Sequence, residues 1–283
     1  NQRESDLQSP VIEHFRKAGI IDGKPERRPV MFMGTEYAPT QVTLFLTNRC
    51  NLACTYCYAG LQTQELVMDE RVGRAAIEFA ASNCVARKRT HFSVGFHGGG
   101  EPTLAWDILT SLTARAKEIA ERNHLKLHIG TITNGVMSET KARWIARNMN
   151  HVSVSCDGPP RIQDRLRPLR NGGQTSRHVR RTVRILDEAK VPYSFQATIT
   201  AEVASKMPAI VRYFAGHSHP KMLKLEPVSE CGRFFGMHDR VPAGSEFARW
   251  YNKASETAQE TGLPISFSGL RLKGTHSCFC GAF

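Results

Sequence analysis

Residues 41–57 read Gln41-Val-Thr-Leu-Phe-Leu-Thr-Asn-Arg-Cys50-Asn-Leu-Ala-Cys54-Thr-Tyr-Cys57, a β-rich apolar run followed by three closely spaced cysteines. The run predicts a strand over Gln41–Thr47, and the CxxxCxxC behind it predicts a tight loop at that strand's end. Three thiolates on one such loop can hold three irons of a cubane and leave the fourth iron open. A structural zinc would instead need a fourth ligand from elsewhere in the chain, and three unrelated cysteines would need none.

The same strand-then-helix rhythm repeats along the chain. Further strands are expected at His91–His97, Leu125–Thr133, His151–Ser155, Pro192–Thr200 and Lys221–Glu226. Helices are expected at Asp69–Val85, Ala105–Asn123, Glu139–Arg147, Thr175–Ala189, Ala204–Ala215 and Ser245–Thr261. Six strands with helical crossovers fit an open, partial (βα)6 barrel of the TIM type, or a doubly wound sheet. In either, ligands gather at the strand ends. Residues 41–262 are read as this α/β domain. Residues 1–40 hold one amphipathic helix, Leu7–Ile21, and a linker carrying Pro25, Pro29 and Pro39; they are a remnant of a recognition domain or a cap. Residues 263–283 lose the rhythm and end in a Cys-rich stretch that the native protein is expected to extend.

The composition agrees with a globular chain: 283 residues, 41% hydrophobic and 23% charged, with a mean hydropathy of −0.35. No apolar run reaches the roughly 18 residues of a membrane span, and the start has no secretory pattern. Eight cysteines with uneven spacing suit a reduced, cytoplasmic, metal-binding use better than a disulfide scaffold. The net charge of +12 favours an anionic partner without naming it.

Glycines after the second strand, in His97-Gly98-Gly99-Gly100-Glu101-Pro102, allow close backbone approach to a ligand. An esterase reading of that loop fails because the chain has no GxSxG, and a phosphate-loop reading fails because it has neither GxxxxGK[ST] nor GxGxxG. With CxxxCxxC after the first strand, Tyr56 before its last cysteine, and Gly99-Gly100-Glu101-Pro102 after the second, the sequence resembles the radical S-adenosylmethionine (SAM) enzymes. The resemblance implies a [4Fe–4S] cluster on Cys50, Cys54 and Cys57, with SAM chelating the open iron. One-electron reduction then cleaves SAM to a 5′-deoxyadenosyl radical that takes hydrogen from the substrate.

Further segments match the family in order, over roughly residues 41–230. Gly99 and Gly100 would meet the SAM amino group through backbone, and Glu101 would hold their loop. Thr133-Asn134-Gly135 resembles a segment near the SAM ribose. Ser155-Cys156-Asp157-Gly158-Pro159 resembles SxDGP, followed by Gln163-Asp164-Arg165-Leu166-Arg167 in the place of HDxxR. Ser155 and Arg167 would then bind the SAM carboxylate, and Tyr56 would lie beside the adenine. Cys156 stands where an aliphatic residue is usual, and Gln163 where His is common.

Leu225-Glu226-Pro227 and the terminal Cys278-Phe279-Cys280-Gly281-Ala282 resemble the SPASM group, which modifies peptides and proteins. That implies auxiliary Fe–S ligands at Cys278 and Cys280. Glu226 and Asp157, both at strand ends, are candidates for a substrate-facing acid or base; either could instead anchor a loop or cap a helix. The implied partners are a precursor peptide with its leader and an external one-electron reductant of flavodoxin or ferredoxin type. The arginines from Arg161 to Arg184 form a solvated face or a groove for an acidic leader. Nucleic acid is disfavoured because that stretch has little aromatic interleaving.

The reading is therefore a cytoplasmic maturase that modifies a ribosomally made precursor peptide. Its rivals are a sulfatase-maturating enzyme forming formylglycine from Cys or Ser, an RNA-modifying enzyme, and a non-catalytic zinc- or cluster-stabilised module.

Overall fold

The computed structural model describes residues 38–60 and 64–269, all within the unit Ala38–Leu270. The expected helix Leu7–Ile21 and the candidate ligands Cys278 and Cys280 lie outside the described residues.

Seven strands form one sheet in the order β1 to β7. They are β1 Gln41–Phe45, β2 His91–His97, β3 Lys126–Thr133, β4 His151–Ser155, β5 Tyr193–Ile199, β6 Met222–Pro227 and β7 Ile265–Ser266. Every neighbouring pair is parallel. The helices are α1 Glu70–Ala86, α2 Trp106–Arg122, α3 Glu139–Asn148, α4 Pro160–Leu166, α5 Ser176–Glu188, α6 Ala201–Ala204, α7 Met207–His217 and α8 Gly244–Thr261. This is the partial (βα)6 barrel expected, with a short seventh strand that carries the sheet past residue 262.

Two departures have local causes. The single helix expected over Ala204–Ala215 breaks at Ser205-Lys206, because Pro208 belongs in a first turn and starts a new helix there. The short α4 is also new; it begins at Pro160, directly after Gly158-Pro159.

Period-two burial gives the sheet two unlike faces. Phe92, Val94 and Phe96 of β2, Val152 and Val154 of β4, Phe195, Ala197 and Ile199 of β5, and Leu223 and Leu225 of β6 are buried. Together with Ile77, Leu109, Leu112, Ile145, Ile185 and Ile210 from the crossover helices they build the core. The intervening residues form the opposite, half-buried face. Register aligns Ser155 with Gln196, Gln196 with Lys224, and Thr198 with Glu226 across three strands. A polar inner face bounded by an apolar outer one is what a barrel lumen needs in order to take a polar ligand. Among the described residues no helix is long and apolar enough to cross a membrane.

Candidate metal and cofactor site

The cysteine loop leaves β1 and is held in place by the glycines after β2. The Gly100 N–H donates to the Thr47 carbonyl at 3.0 Å and the Glu101 N–H to the Arg49 carbonyl at 2.7 Å. A Cβ on Gly100 would run into the Arg49 carbonyl and the Asn48 carbonyl carbon, so backbone lies directly on backbone and only glycine fits.

Glu101 ties that junction to β3. Its buried carboxylate accepts from the Thr103 N–H and hydroxyl (3.2 and 2.8 Å), the Thr133 hydroxyl (2.7 Å) and the Asn134 N–H (2.7 Å). Burial raises its pKa, and those four donors act in the opposite direction. The Asn134 amide in turn donates to Asn51 Oδ1 at 2.8 Å and reaches Cys50 Sγ at 3.7 Å. Gly99, Gly100, Glu101, Thr133 and Asn134 are thus brought together around the cysteine loop. Glu101→Gln puts an amide N–H2 where an oxygen now accepts. It should lower unfolding free energy by about 2–3 kcal/mol in a denaturant titration, the scale of charged buried hydrogen bonds lost.

Cys50, Cys54 and Cys57 are free, half-buried thiols. Burial raises the Cys50 thiol and pushes Cys54 up to about 11; Glu101 and Cys57 add to the first shift, and Asp157, Cys50 and Cys57 to the second. Among the described residues no three His, Cys, Asp or Glu side chains converge on a single-ion site. Three thiols along one loop, without a fourth local donor, suit a multi-iron group with one iron left open and do not suit a closed tetrahedral zinc.

Beneath the loop lies a buried polar triad. The Tyr56 hydroxyl donates to Asp157 Oδ2 at 2.6 Å and accepts from Arg167 Nη1 at 2.7 Å, and Arg167 stands 3.7 Å from Asp157 Oδ1. Asp157 also accepts from the Thr198 N–H at 3.0 Å, and its own N–H donates to Gln163 Oε1 at 2.9 Å. Gln163, the departure from the usual His, therefore braces the triad. Asp157, read from sequence as a substrate-facing acid or base, is fully buried, and its oxygens are engaged within this network. Arg167, read as a carboxylate ligand, is turned toward Tyr56 and Asp157, with its Nε buried and unpartnered. Tyr56 is buried edge-on to Phe234, with ring centroids 6.3 Å apart.

Ser155 ends β4 on the lumen face. Glu226 lies on that face too, but it is ion-paired with Lys224 at 2.9 Å and accepts from the N–H and hydroxyl of Ser268 at 2.8 and 2.9 Å. It anchors the segment after β7 as placed. Gln196, Thr198 and Lys224 share the lumen face with Ser155 and Glu226; sequence reasoning missed them, although alternation within each strand was the available signal. It also missed the loop after β6. There the Arg233 N–H donates to the Cys57 carbonyl (3.1 Å) and its guanidinium to the Cys54 carbonyl (3.0 Å). Gly232, at φ +56°, lies against Cys57 and Tyr58 so closely that no Cβ fits.

Comparison with known proteins adds sequence kinship to this geometry. The model of the radical SAM superfamily matches residues 44–203, more than half of the chain. A cysteine-type anaerobic sulfatase-maturating enzyme of Clostridium perfringens is 28% identical over 168 residues, covering 58% of this chain and 45% of that protein. PqqA peptide cyclase of Xanthomonas oryzae is 31% identical over 184 residues, covering 63% and 45%. Among solved structures, anSMEcpe with bound AdoMet and the Cp18Cys peptide has a TM-score of 0.66 at 21% identity, covering 81% of this chain and 63% of that one. SuiB of Streptococcus suis has 0.62 at 15%, covering 82% and 50%. These two structures share the fold. The chain spans about half the length of the curated relatives it matches.

Proposed function

The chain belongs to the radical SAM superfamily, and from that premise we propose that it modifies a residue of a polypeptide substrate. The observation that carries the chemistry is the trio of free thiols on a braced loop, with no fourth side chain among the described residues completing a single-ion site. A [4Fe–4S] cluster and SAM, when bound, supply one-electron cleavage of a sulfonium carbon–sulfur bond and hydrogen abstraction.

The chain's own residues do the positioning. Cys50, Cys54 and Cys57 hold the cluster. Gly99 and Gly100 let the backbone come within reach of the SAM amino group, while Glu101, Thr133 and Asn134 fix that surface. Ser155 offers a hydroxyl to the carboxylate end of the ligand. Tyr56, Asp157 and Arg167 act from beneath, fixing the loop and placing one positive charge near the Cys54 thiolate. The lumen row Gln196, Thr198, Lys224 and Glu226 orients substrate, with Glu226 the candidate for handling a proton there. An external one-electron donor, and auxiliary ligands at Cys278 and Cys280, complete the proposal, as does a cytoplasmic location.

The substrate class is supported by the relatives, whose names place their reactions on sulfatases and on peptides. A sulfatase-maturating enzyme stands among the sequence relatives, and a structure with a bound peptide among the solved structures that share the fold. Oxidation of a Cys or Ser side chain to formylglycine therefore stands first, ahead of the precursor-peptide modification, a crosslink or a related change, read from the sequence alone. Crosslinking is the second reading, carried by the likeness to a peptide cyclase. Co-expression with a neighbouring sulfatase or small peptide, followed by mass spectrometry, separates them. A cysteine whose CH2–SH has become an aldehyde, or a serine that has lost two hydrogens and then reacts with a hydrazide, supports the first; loss of two hydrogens with no carbonyl-reactive group supports the second; unchanged substrates contradict both.

A further inference from the structure

Helices α5 and α7 stand apart on the outer side of the sheet and leave a groove of about 430 Å³ between them. Its floor includes Cys156 and Phe195. Both are buried residues of the apolar outer face, next in sequence to the lumen-facing Ser155 and Gln196. The groove is thus separated from the cysteine site by the sheet itself.

One wall carries Arg177, Arg180, Arg181 and Arg184, spaced i, i+3, i+4 and i+7 and so aligned on one face of α5. The opposite wall carries Tyr213 and His217, whose rings stack at 4.8 Å. Arg180 is near enough to Tyr213 to act on its hydroxyl electrostatically. Arg184 pairs with Glu188 at 3.5 Å. Among the described residues Arg177 and Arg180 have no carboxylate partner, and Arg181 Nε is buried without a hydrogen-bond acceptor. Asp187, the groove's acid, already accepts from the Tyr193 hydroxyl at 2.8 Å and faces His219 at 3.6 Å. Arg181 also donates to the Met137 carbonyl, and Arg181 and Arg184 act on Glu139; like charges three and four residues apart repel, so Arg177 and Arg180 are the members of the row left without a carboxylate among the described residues.

The basic area is also confined. Arg165 and Arg212 nearby are paired with Glu202 and Glu260, at 3.0 and 3.7 Å. A continuous phosphate track would leave such flanking arginines free; a short cleft with an arginine wall, an aromatic wall and an apolar floor fits carboxylates interleaved with apolar side chains.

We propose that the α5–α7 groove docks an acidic segment of the polypeptide substrate, at a distance from the residue that is modified. This rests on the polypeptide reading above. Docking of this kind holds a substrate by a segment that undergoes no chemistry and raises the effective concentration of its reactive residue at the lumen.

The test uses the full reconstituted chain and fluorescence anisotropy with a labelled peptide of alternating glutamate and leucine. A lysine–leucine peptide and an oligothymidylate serve as comparators. The acidic peptide should bind, and Arg177→Glu/Arg180→Glu should weaken it at least about tenfold, as reversal of steering charges does. Arg177→Gln/Arg180→Gln should weaken it less, and thermal melting should show both variants folded. Dithionite-driven release of 5′-deoxyadenosine should be unchanged, since neither arginine touches the cysteine site. No binding of the acidic peptide, equal affinity in the reversed variant, or oligothymidylate binding as tightly through the same arginines would overturn the proposal. Failure of the functional reading shows separately, as wild-type protein that binds the acidic peptide and releases no 5′-deoxyadenosine.

Discussion

A Cys54→Ala chain, reconstituted anaerobically beside the parent, should retain little iron and release 5′-deoxyadenosine at no more than about one hundredth of the parent rate. Losing an outer-shell partner of a metal site costs about 10–100-fold, and losing a ligand itself exceeds that. The prediction has a second, structural part. Burial pushes the Cys54 thiol up to about 11, against the opposing pull of Arg167, so at neutral pH the metal-free thiol keeps its proton. A ligand must be a thiolate, and only the charge of bound metal offsets so large a penalty. Loading should therefore release protons and become harder as pH falls. Iron content measured across a pH series checks this, and a Cys54→Ala chain with full iron would remove the loop from the account.

Arg167→Met should be the most destabilising single change in the buried triad, costing about 3–5 kcal/mol, the scale for stranding one member of a buried ion pair. Arg167 is nine-tenths buried and Asp157 wholly so; without the guanidinium, Tyr56 and the Thr198 N–H are the donors left to the carboxylate. Asp157→Asn/Arg167→Met should recover much of the loss, because no uncompensated charge remains. The pH dependence has a definite sign. Burial raises the Asp157 pKa, and Arg167 opposes that rise. Removing Arg167 lifts it further. A carboxylate whose folded pKa lies above its unfolded value binds more protons when folded across that interval, so its contribution to stability falls as pH rises. The deficit of Arg167→Met should shrink as pH is lowered through that interval. Denaturant titrations at several pH values measure it, and a deficit independent of pH would show that removing Arg167 leaves proton binding by Asp157 unchanged, against this prediction.

Much of this site was legible in the sequence because its positions are fixed by local rules. Strands announce themselves through β-rich runs, and in a parallel α/β unit the residues just beyond each strand converge. The cysteine loop, Gly99–Gly100 and Thr133–Asn134 all stand at such strand ends, where the family resemblance picked them out. What sequence could not supply was direction. Asp157 follows Ser155 by two residues, yet the strand has ended between them, so the alternation that faces Ser155 to the lumen no longer governs Asp157. Arg167 lies on the turn after α4, a helix too short for its periodicity to be read, and only the fold shows the guanidinium turned inward to Tyr56. Likewise Gly232 and Arg233 are far in sequence from the cysteines they clamp. Their contact depends on long-range closure of the unit, which no local pattern encodes. The arginine row divides for the same reason: Arg167 is interior, Arg165 is paired, and Arg177 and Arg180 line a groove, although all four read alike in sequence.

The central claim is that Cys50, Cys54 and Cys57 leave one iron open for a sulfonium ligand. Anaerobic reconstitution with iron and sulfide, then dithionite and SAM, tests it most directly. The account predicts about four irons per chain at this loop and release of 5′-deoxyadenosine that disappears in Cys54→Ala. A chain that loads fully and leaves SAM intact, or one that binds a single zinc at these thiols, would contradict it.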